Sequence, residues 1–248
     1  MKYLLAILIV LSFVGCAGSA SRLGKDPSSL VKHMGGSTVA LVYTDTDEDE
    51  THVYCTGVWV GENAVLTAAH CVRGVAKKIA ADHDEDLDPD LDLVGTPIHY
   101  VTETEVTGVG KEPSAQHLGK AVYVDADTDL ALVQTVGEVP KHDTARLSSE
   151  SPAIGETIHI VGMPAGFYFT YISGLVAAYR VDLWDEKMGP YMQVSAPIYF
   201  GNSGGGVFDN DGNLCGIASF MTRAPSMGFF VHVKTIKKML DEQLVALK

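Results

Sequence analysis

Phe200-Gly201-Asn202-Ser203-Gly204-Gly205-Gly206 sets one serine in a run of residues with almost no side-chain bulk, between two segments that alternate like strands. Glycine-rich turns are common and a serine inside one is usually solvated, so the stretch has meaning only if distant partners exist for it. Acyl transfer by serine needs a base to take the hydroxyl proton, an acid group to orient that base, and donors aimed at the developing oxyanion. Leu66-Thr67-Ala68-Ala69-His70-Cys71 offers the base, an apolar strand running into small residues and a histidine. Asp125-Ala126-Asp127-Thr128-Asp129-Leu130 offers the acid; Asp129, directly before an apolar run, is the best placed of its three aspartates for burial.

Around these landmarks the chain is a series of short apolar runs with glycine and proline at the joints: Val39–Tyr43, His52–Val60, Ala64–Thr67, Ala121–Val124, Leu130–Val136, Thr157–Val161, Phe167–Val176, Tyr191–Ser195, Leu214–Ser219 and Phe229–Val233. That pattern predicts an all-β sandwich or barrel protein. Turn chemistry marks Gly61-Glu62-Asn63, and Asp209-Asn210-Asp211-Gly212-Asn213 joins two runs as a hairpin. The one long helix expected is Thr235–Lys248, capped by Thr235, with Ile236, Met239, Leu240, Leu244 and Val245 on a core-facing stripe. No internal repeat is visible, and the β-rich halves divide between the Leu130 and Thr157 strands.

The three blocks Thr67-Ala68-Ala69-His70-Cys71, Asp129-Leu130-Ala131-Leu132 and Gly201-Asn202-Ser203-Gly204-Gly205 resemble the signature blocks of trypsin-like serine proteases, in the chain order of the chymotrypsin arrangement. Ile154-Gly155-Glu156-Thr157, Gly162-Met163-Pro164-Ala165-Gly166, Ser173-Gly174-Leu175-Val176 and Asn213-Leu214-Cys215-Gly216-Ile217 resemble the bacterial HtrA-type branch. The likeness runs from Ser37 to Val233. It implies an all-β fold of two packed six-stranded antiparallel barrels with a C-terminal α-helix, over a protease domain spanning residues 37–248. It also implies a serine endopeptidase acting through an acyl-enzyme on protein or peptide substrates. His70 would be general base then acid, Asp129 its orienting partner, Ser203 the nucleophile, and the Gly201 and Ser203 backbone N–H groups the oxyanion hole. Ser219 would support Asp129, and Ser219-Phe220-Met221 would pair with extended substrate backbone. The specificity pocket would be lined by Pro197, Ile198, Tyr199, Phe200, Ala218, Ser219, Phe220, Met221 and Gly228. With no acid at Pro197, a small or medium apolar P1 side chain is expected, since a buried Lys or Arg would lack a counter-charge. Asn202 stands where the digestive enzymes have an aspartate that receives a freed N-terminal ammonium, so zymogen-type activation is not expected. HtrA enzymes usually append a PDZ domain, and the sequence stops after its terminal helix; a protease domain without that module is therefore expected. A non-catalytic binding protein and an esterase on the same fold are the rival readings.

Residues 1–16 read as a signal peptide: a basic start at Lys2, an apolar run from Leu4 to Val14, then small residues before Cys16. Cys16 as a lipidated terminus and ordinary cleavage after Gly18-Ser19-Ala20 are both open, giving a periplasmic or cell-surface lipoprotein or a secreted protein, with membrane contact only through the lipid. Residues 17–36 read as a tether or N-terminal arm. Export permits disulfides. Cys55 and Cys71 bound a strand-turn-strand segment and are paired here, leaving Cys215 as a small buried hydrophobe.

The formal charge of -13 is concentrated: residues 44–51 and 82–92 hold five and seven acids, twelve of the 31. With no basic stripe, nucleic acid is excluded as an expected partner. The Asp82–Asp92 loop could gather calcium through clustered carboxylates but lacks EF-hand spacing. Such runs are usually solvated faces, so no cofactor and no metal is expected.

Overall fold

The computed structural model describes residues 27–45, 50–82, 92–106, 112–181, 190–222 and 226–246. The signal segment with Cys16, the first part of the tether and all but the ends of the Asp82–Asp92 loop lie outside them.

Twelve strands close into two antiparallel barrels. The first comprises β1 (Thr38–Asp45), β2 (Glu50–Gly61), β3 (Ala64–Thr67), β4 (Pro97–Thr102), β5 (His117–Asp125) and β6 (Leu130–Val136), in the order β1-β2-β3-β6-β5-β4. The second comprises β7 (Thr157–Gly162), β8 (Thr170–Arg180), β9 (Tyr191–Ser195), β10 (Gly206–Phe208), β11 (Leu214–Met221) and β12 (Gly228–His232). Its order, β7-β8-β9-β12-β11-β10, repeats that of the first. The halves are thus a structural duplication that their side chains do not advertise. Closure removes sheet edges, which long apolar strands would otherwise expose to aggregation. The predicted hairpin is present: the Asp209 carboxylate accepts the Asp211 and Asn213 backbone N–H groups at 2.9 Å each, tying the turn between β10 and β11.

Each barrel has its own core. Trp59, Tyr100, Leu41 and Ile98 fill the first; Ile158, Ile160, Met192 and Phe230 fill the second. A third cluster joins them, with Val58, Leu66 and Leu130 of the first barrel packed against Val161, Tyr191, Phe208 and Ile217 of the second. Burying each such side chain is worth roughly 1.5–3 kcal/mol, so the seam is a core in its own right and fixes one barrel relative to the other.

Three helices differ from the sequence expectation. The last ten positions of the tether or N-terminal arm at residues 17–36 are helical: α1 (Pro27–Gly36) begins with a proline, favoured in a first turn, and docks Leu30 and Met34, one turn apart, into the seam. Its Met34 carbonyl accepts the Ser37 and Thr38 hydroxyls at 3.0 and 2.7 Å, satisfying a C-terminal acceptor that would otherwise be orphaned. Beyond β3 the chain forms α2 (Ala69–Asp82), which buries Ala69, Val72 and Ala76 on one stripe. The terminal helix α3 (Val233–Ala246) starts earlier than expected. The backbone N–H of Lys234 is capped by His232 Nδ1 at 3.0 Å, not by Thr235.

Candidate active site

His70 sits in the first turn of α2, three residues past the end of β3, and Asp129 sits in the turn immediately before β6. Antiparallel pairing of Thr67 with Ala131 and Leu66 with Leu132 brings those two strand ends side by side. The Asp129 carboxylate then accepts the His70 backbone N–H at 3.0 Å and stands 3.0–3.1 Å from His70 Nδ1 through both oxygens. A third donor arrives from the other barrel, the Ser219 hydroxyl. Ser219 is aimed there by a bulge: the β11–β12 register slips between Ala218 and Phe220. Bulges commonly re-aim a side chain in this way.

The three aspartates differ in their environments. Asp127 is exposed, and Asp125 is an anchor for its own turn, accepting Asp127 N–H, Thr128 Oγ1 and Tyr123 OH. Burial pushes the Asp125 carboxyl up, but those hydrogen bonds, led by Thr128 Oγ1, outweigh it and hold the group below its ordinary value. Asp129 alone is buried, at 8% exposure, in left-handed backbone with φ +53. Aspartate tolerates that region better than most residues, and such local strain clusters at functional sites.

The Ser203 loop is braced from both barrels. Thr56 N–H donates to the Ser203 carbonyl at 2.8 Å and Thr56 Oγ1 to the Gly201 carbonyl at 2.7 Å; Thr67 Oγ1 in turn donates to the Thr56 carbonyl. Two glycines are obligatory. Gly201 has φ +95 and an added Cβ would lie 2.1 Å from the Met163 carbonyl oxygen; Gly204 has φ +79 and its Cβ would lie 2.1 Å from Thr67 Oγ1. The Phe200 carbonyl accepts the Ala165 N–H at 2.8 Å. In a trans peptide the carbonyl and the following N–H point oppositely, so the Gly201 N–H faces away from the Met163–Gly166 segment. Ala165 is itself in left-handed backbone, φ +52. No bracing role was predicted for Thr56, Thr67 or Ala165, although Thr67 opens the Thr67–Cys71 block and Ala165 lies in the Gly162–Gly166 block. Asn202 is fully buried, and neither its amide oxygen nor its nitrogen finds a partner among the described residues.

Two cavities flank Ser203. One of about 580 Å³ contains His70 and Ser203 together with Ile198, Tyr199, Phe200, Ala218, Ser219, Phe220, Met221 and Thr222. It therefore gathers the predicted pocket residues except two: Pro197 is exposed outside it, and Gly228 lies behind Ile198, whose Cγ1 would be 2.7 Å from a Cβ there. Among the described residues, no Asp, Glu, Lys or Arg side chain lines it. The other cavity, about 360 Å³, lies across Phe200 and is bordered by Tyr43, Tyr54, Lys78 and the Cys55–Cys71 disulfide. That bridge is formed as paired from the sequence, and Cys215 is buried, its thiol pushed well up by burial. Chemically, a carboxylate engaging an imidazole, in one cavity with a hydroxyl on a glycine-rich turn, is equipped to activate that hydroxyl.

Comparison with known proteins agrees with this architecture. The profile of the trypsin-like peptidase domain matches residues 55–217. A serine protease HtrA-like of Staphylococcus epidermidis is 26% identical over 228 residues, covering 81% of this chain and 38% of the relative. A probable periplasmic serine endoprotease DegP-like of Marinomonas is 30% identical over 125 residues, covering 49% of this chain and 26% of the relative. The chain thus spans well under half the length of either. Among solved structures, the HtrA-type protease AlgW with a tripeptide superposes with a TM-score of 0.66 at 20% identity, over 88% of this chain and 63% of that one. The serine endoprotease from Yersinia pestis gives 0.62 at 18% identity, over 88% and 66%. With the profile match spanning well over half the chain and both barrels closed as the fold requires, the chain belongs to the trypsin-like peptidase domain family, with HtrA-type and DegP-like proteins among its relatives.

Proposed function

We propose that the protein is a serine endopeptidase in which Ser203 attacks the scissile carbonyl, His70 takes its proton and returns it to the leaving amine, and Asp129 orients and stabilises the imidazole. The observation that carries this reading is the convergence of donors from both barrels on the buried Asp129 carboxylate while His70 and Ser203 share one cavity. The Gly201 N–H, turned outward by the Phe200–Ala165 bond, and the Ser203 N–H form the oxyanion hole. Attack gives a tetrahedral adduct; its collapse expels the amine and leaves an acyl-enzyme on Ser203 Oγ, which water, activated by the same imidazole, hydrolyses. Ser219-Phe220-Met221 carries the substrate backbone as an added strand. The largely apolar cavity, lined by Ile198 and by no Asp, Glu, Lys or Arg among the described residues, supports small or medium apolar P1 residues such as Ala, Val or Leu.

Export is supported by the naming of relatives as periplasmic and by the disulfide, which persists in oxidising compartments. Attachment through Cys16 lipid and release as a soluble protein are separated by mass spectrometry of the mature N-terminus. The catalytic reading is tested with a fluorophosphonate probe on wild type and Ser203→Ala. Labelling lost in the variant, with peptide-library cleavage after small apolar residues, is expected. No labelling of wild type would make the protein a binding module on a protease fold; labelling with ester turnover alone would make it an esterase; cleavage after Arg would overturn the pocket assignment.

A further inference from the structure

Cys55 Sγ, Cys71 Sγ and a ring nitrogen of His70 all lie within 4.8 Å of one another. All three residues also border the same cavity of about 360 Å³, so a solute entering it meets all of them. The sulfurs are joined in a disulfide whose Cα atoms are 6.1 Å apart. A tetrahedral zinc site, with Zn–S near 2.3 Å and Zn–N near 2.0 Å, sets its sulfurs roughly 3.8 Å apart. Release of the bond and rotation of the two thiolates about their Cα–Cβ bonds is the movement that would open the sulfurs to that separation.

We propose that the Cys55–Cys71 bridge masks a zinc site that opens on reduction and includes His70 as its third ligand. Exchange with a dithiol transfers two electrons to the bridge, giving two Cys thiols and the oxidised, cyclic dithiol. Zn²⁺ then displaces the two thiol protons and binds both sulfurs and His70 Nε2, with water from the cavity in the fourth position. His70 is already prepared as a ligand: Asp129 engages Nδ1 at 3.0 Å and fixes the tautomer that leaves Nε2 free, the carboxylate–histidine arrangement found behind zinc-ligating imidazoles. Two thiolates and an imidazole select a soft or borderline metal over calcium or magnesium. The consequence for activity rests on the proposed protease reading: an Nε2 lone pair given to zinc cannot accept the Ser203 proton, so the reduced, metal-loaded protein is off, and metal removal followed by reoxidation returns it.

The experiment uses the full mature chain, reduced with a dithiol, desalted anaerobically and titrated with Zn²⁺ and with Co²⁺, alongside the oxidised chain. One metal per reduced chain, a thiolate-to-cobalt charge-transfer absorption, and no such signal when oxidised are expected. Cys71→Ala should abolish the absorption, and His70→Ala should weaken zinc binding at least about tenfold, the lower bound for disturbing even an outer-shell partner. Ser203→Ala should bind cobalt like wild type, so the metal site is tested even if hydrolysis fails. Near-UV circular dichroism follows folding throughout: a reduced chain that loses its signal should regain it with zinc, and failure to do so counts against the proposal. Equal metal binding by oxidised and reduced chains, or undiminished binding in Cys71→Ala, overturns it.

Discussion

Replacing Gly201 with alanine separates the geometry of the proposed oxyanion loop from the fold that carries it. The new Cβ would sit 2.1 Å from the Met163 carbonyl oxygen and 3.1 Å from its carbon, both backbone atoms that no side-chain rotation can clear. The residue is also at φ +95, and an L side chain in left-handed backbone costs roughly 1–2 kcal/mol. The least disruptive response is rotation of the Phe200–Gly201 peptide, which breaks the 2.8 Å bond from Ala165 N–H to the Phe200 carbonyl and swings the residue 201 N–H away from the substrate. Losing one oxyanion donor is worth about 2.7–4 kcal/mol of transition-state stabilisation, a fall of ~10² to 10³ in kcat. Since the donor acts on the charge that develops in the transition state, KM should move far less than kcat. Burst kinetics with an activated ester, normalised to titrated sites, measure acylation directly, and a urea melt reports stability in parallel. A folded Gly201→Ala protein that keeps its acylation rate within about threefold of wild type refutes the assignment of this N–H.

Ser219→Ala removes a charge-assisted hydrogen bond from the buried Asp129 carboxylate, worth about 1.5–3 kcal/mol, and should lower kcat about tenfold or more and the melting temperature by roughly 3–12 °C, as steady-state kinetics and a thermal melt would show. Asn202→Asp places a carboxylate in a fully buried site that offers no partner among the described residues; about 3 kcal/mol or more of stability should be lost at neutral pH and partly recovered as the pH falls and the group protonates, read from urea midpoints. His232 is held below its ordinary value of 6.5, first by burial and then by Lys234 and Lys237, and its Nδ1 accepts the Lys234 N–H. The unfolded chain therefore binds the proton more readily: this contribution to stability is complete above pH 6.5 and is lost as the pH falls below it, so His232→Gln should flatten the melting-temperature profile between pH 7 and 5. Ile198→Ala opens the apolar cavity, and a peptide library should show the preferred P1 residue shifting from small to larger apolar side chains.

The seam between the barrels explains why the candidate site was legible and the helices were not. Ser203, His70 and Asp129 announce themselves because each sits where a strand pattern breaks into small residues or a turn. The short apolar runs announce barrels for the same reason: burial imposes alternation and turns impose glycine. Helix α2 escaped because Gly74 interrupts it and because His70 follows a strand by only three residues, so its Ala69, Val72, Ala76 stripe reads as the tail of an apolar run. Helix α1 escaped because its inward-packing Leu30, Val31 and Met34 span little more than one turn, too short a run to set a period.

What no local pattern reveals is the bracing between distant segments. Thr56 holds both the Gly201 and Ser203 carbonyls, and Ala165 holds that of Phe200, yet neither is marked by residue type. Their importance comes from where the barrels meet. The Ser203 loop belongs to the second barrel and is gripped by β2 of the first, while Asp129 belongs to the first and is gripped by Ser219 of the second. Each barrel therefore completes the other's half of the site. A substitution that loosens the seam at Val58, Leu130 or Phe208 should impair catalysis before it unfolds either barrel, because the seam, rather than either barrel alone, sets the positions of His70, Asp129 and Ser203 relative to one another.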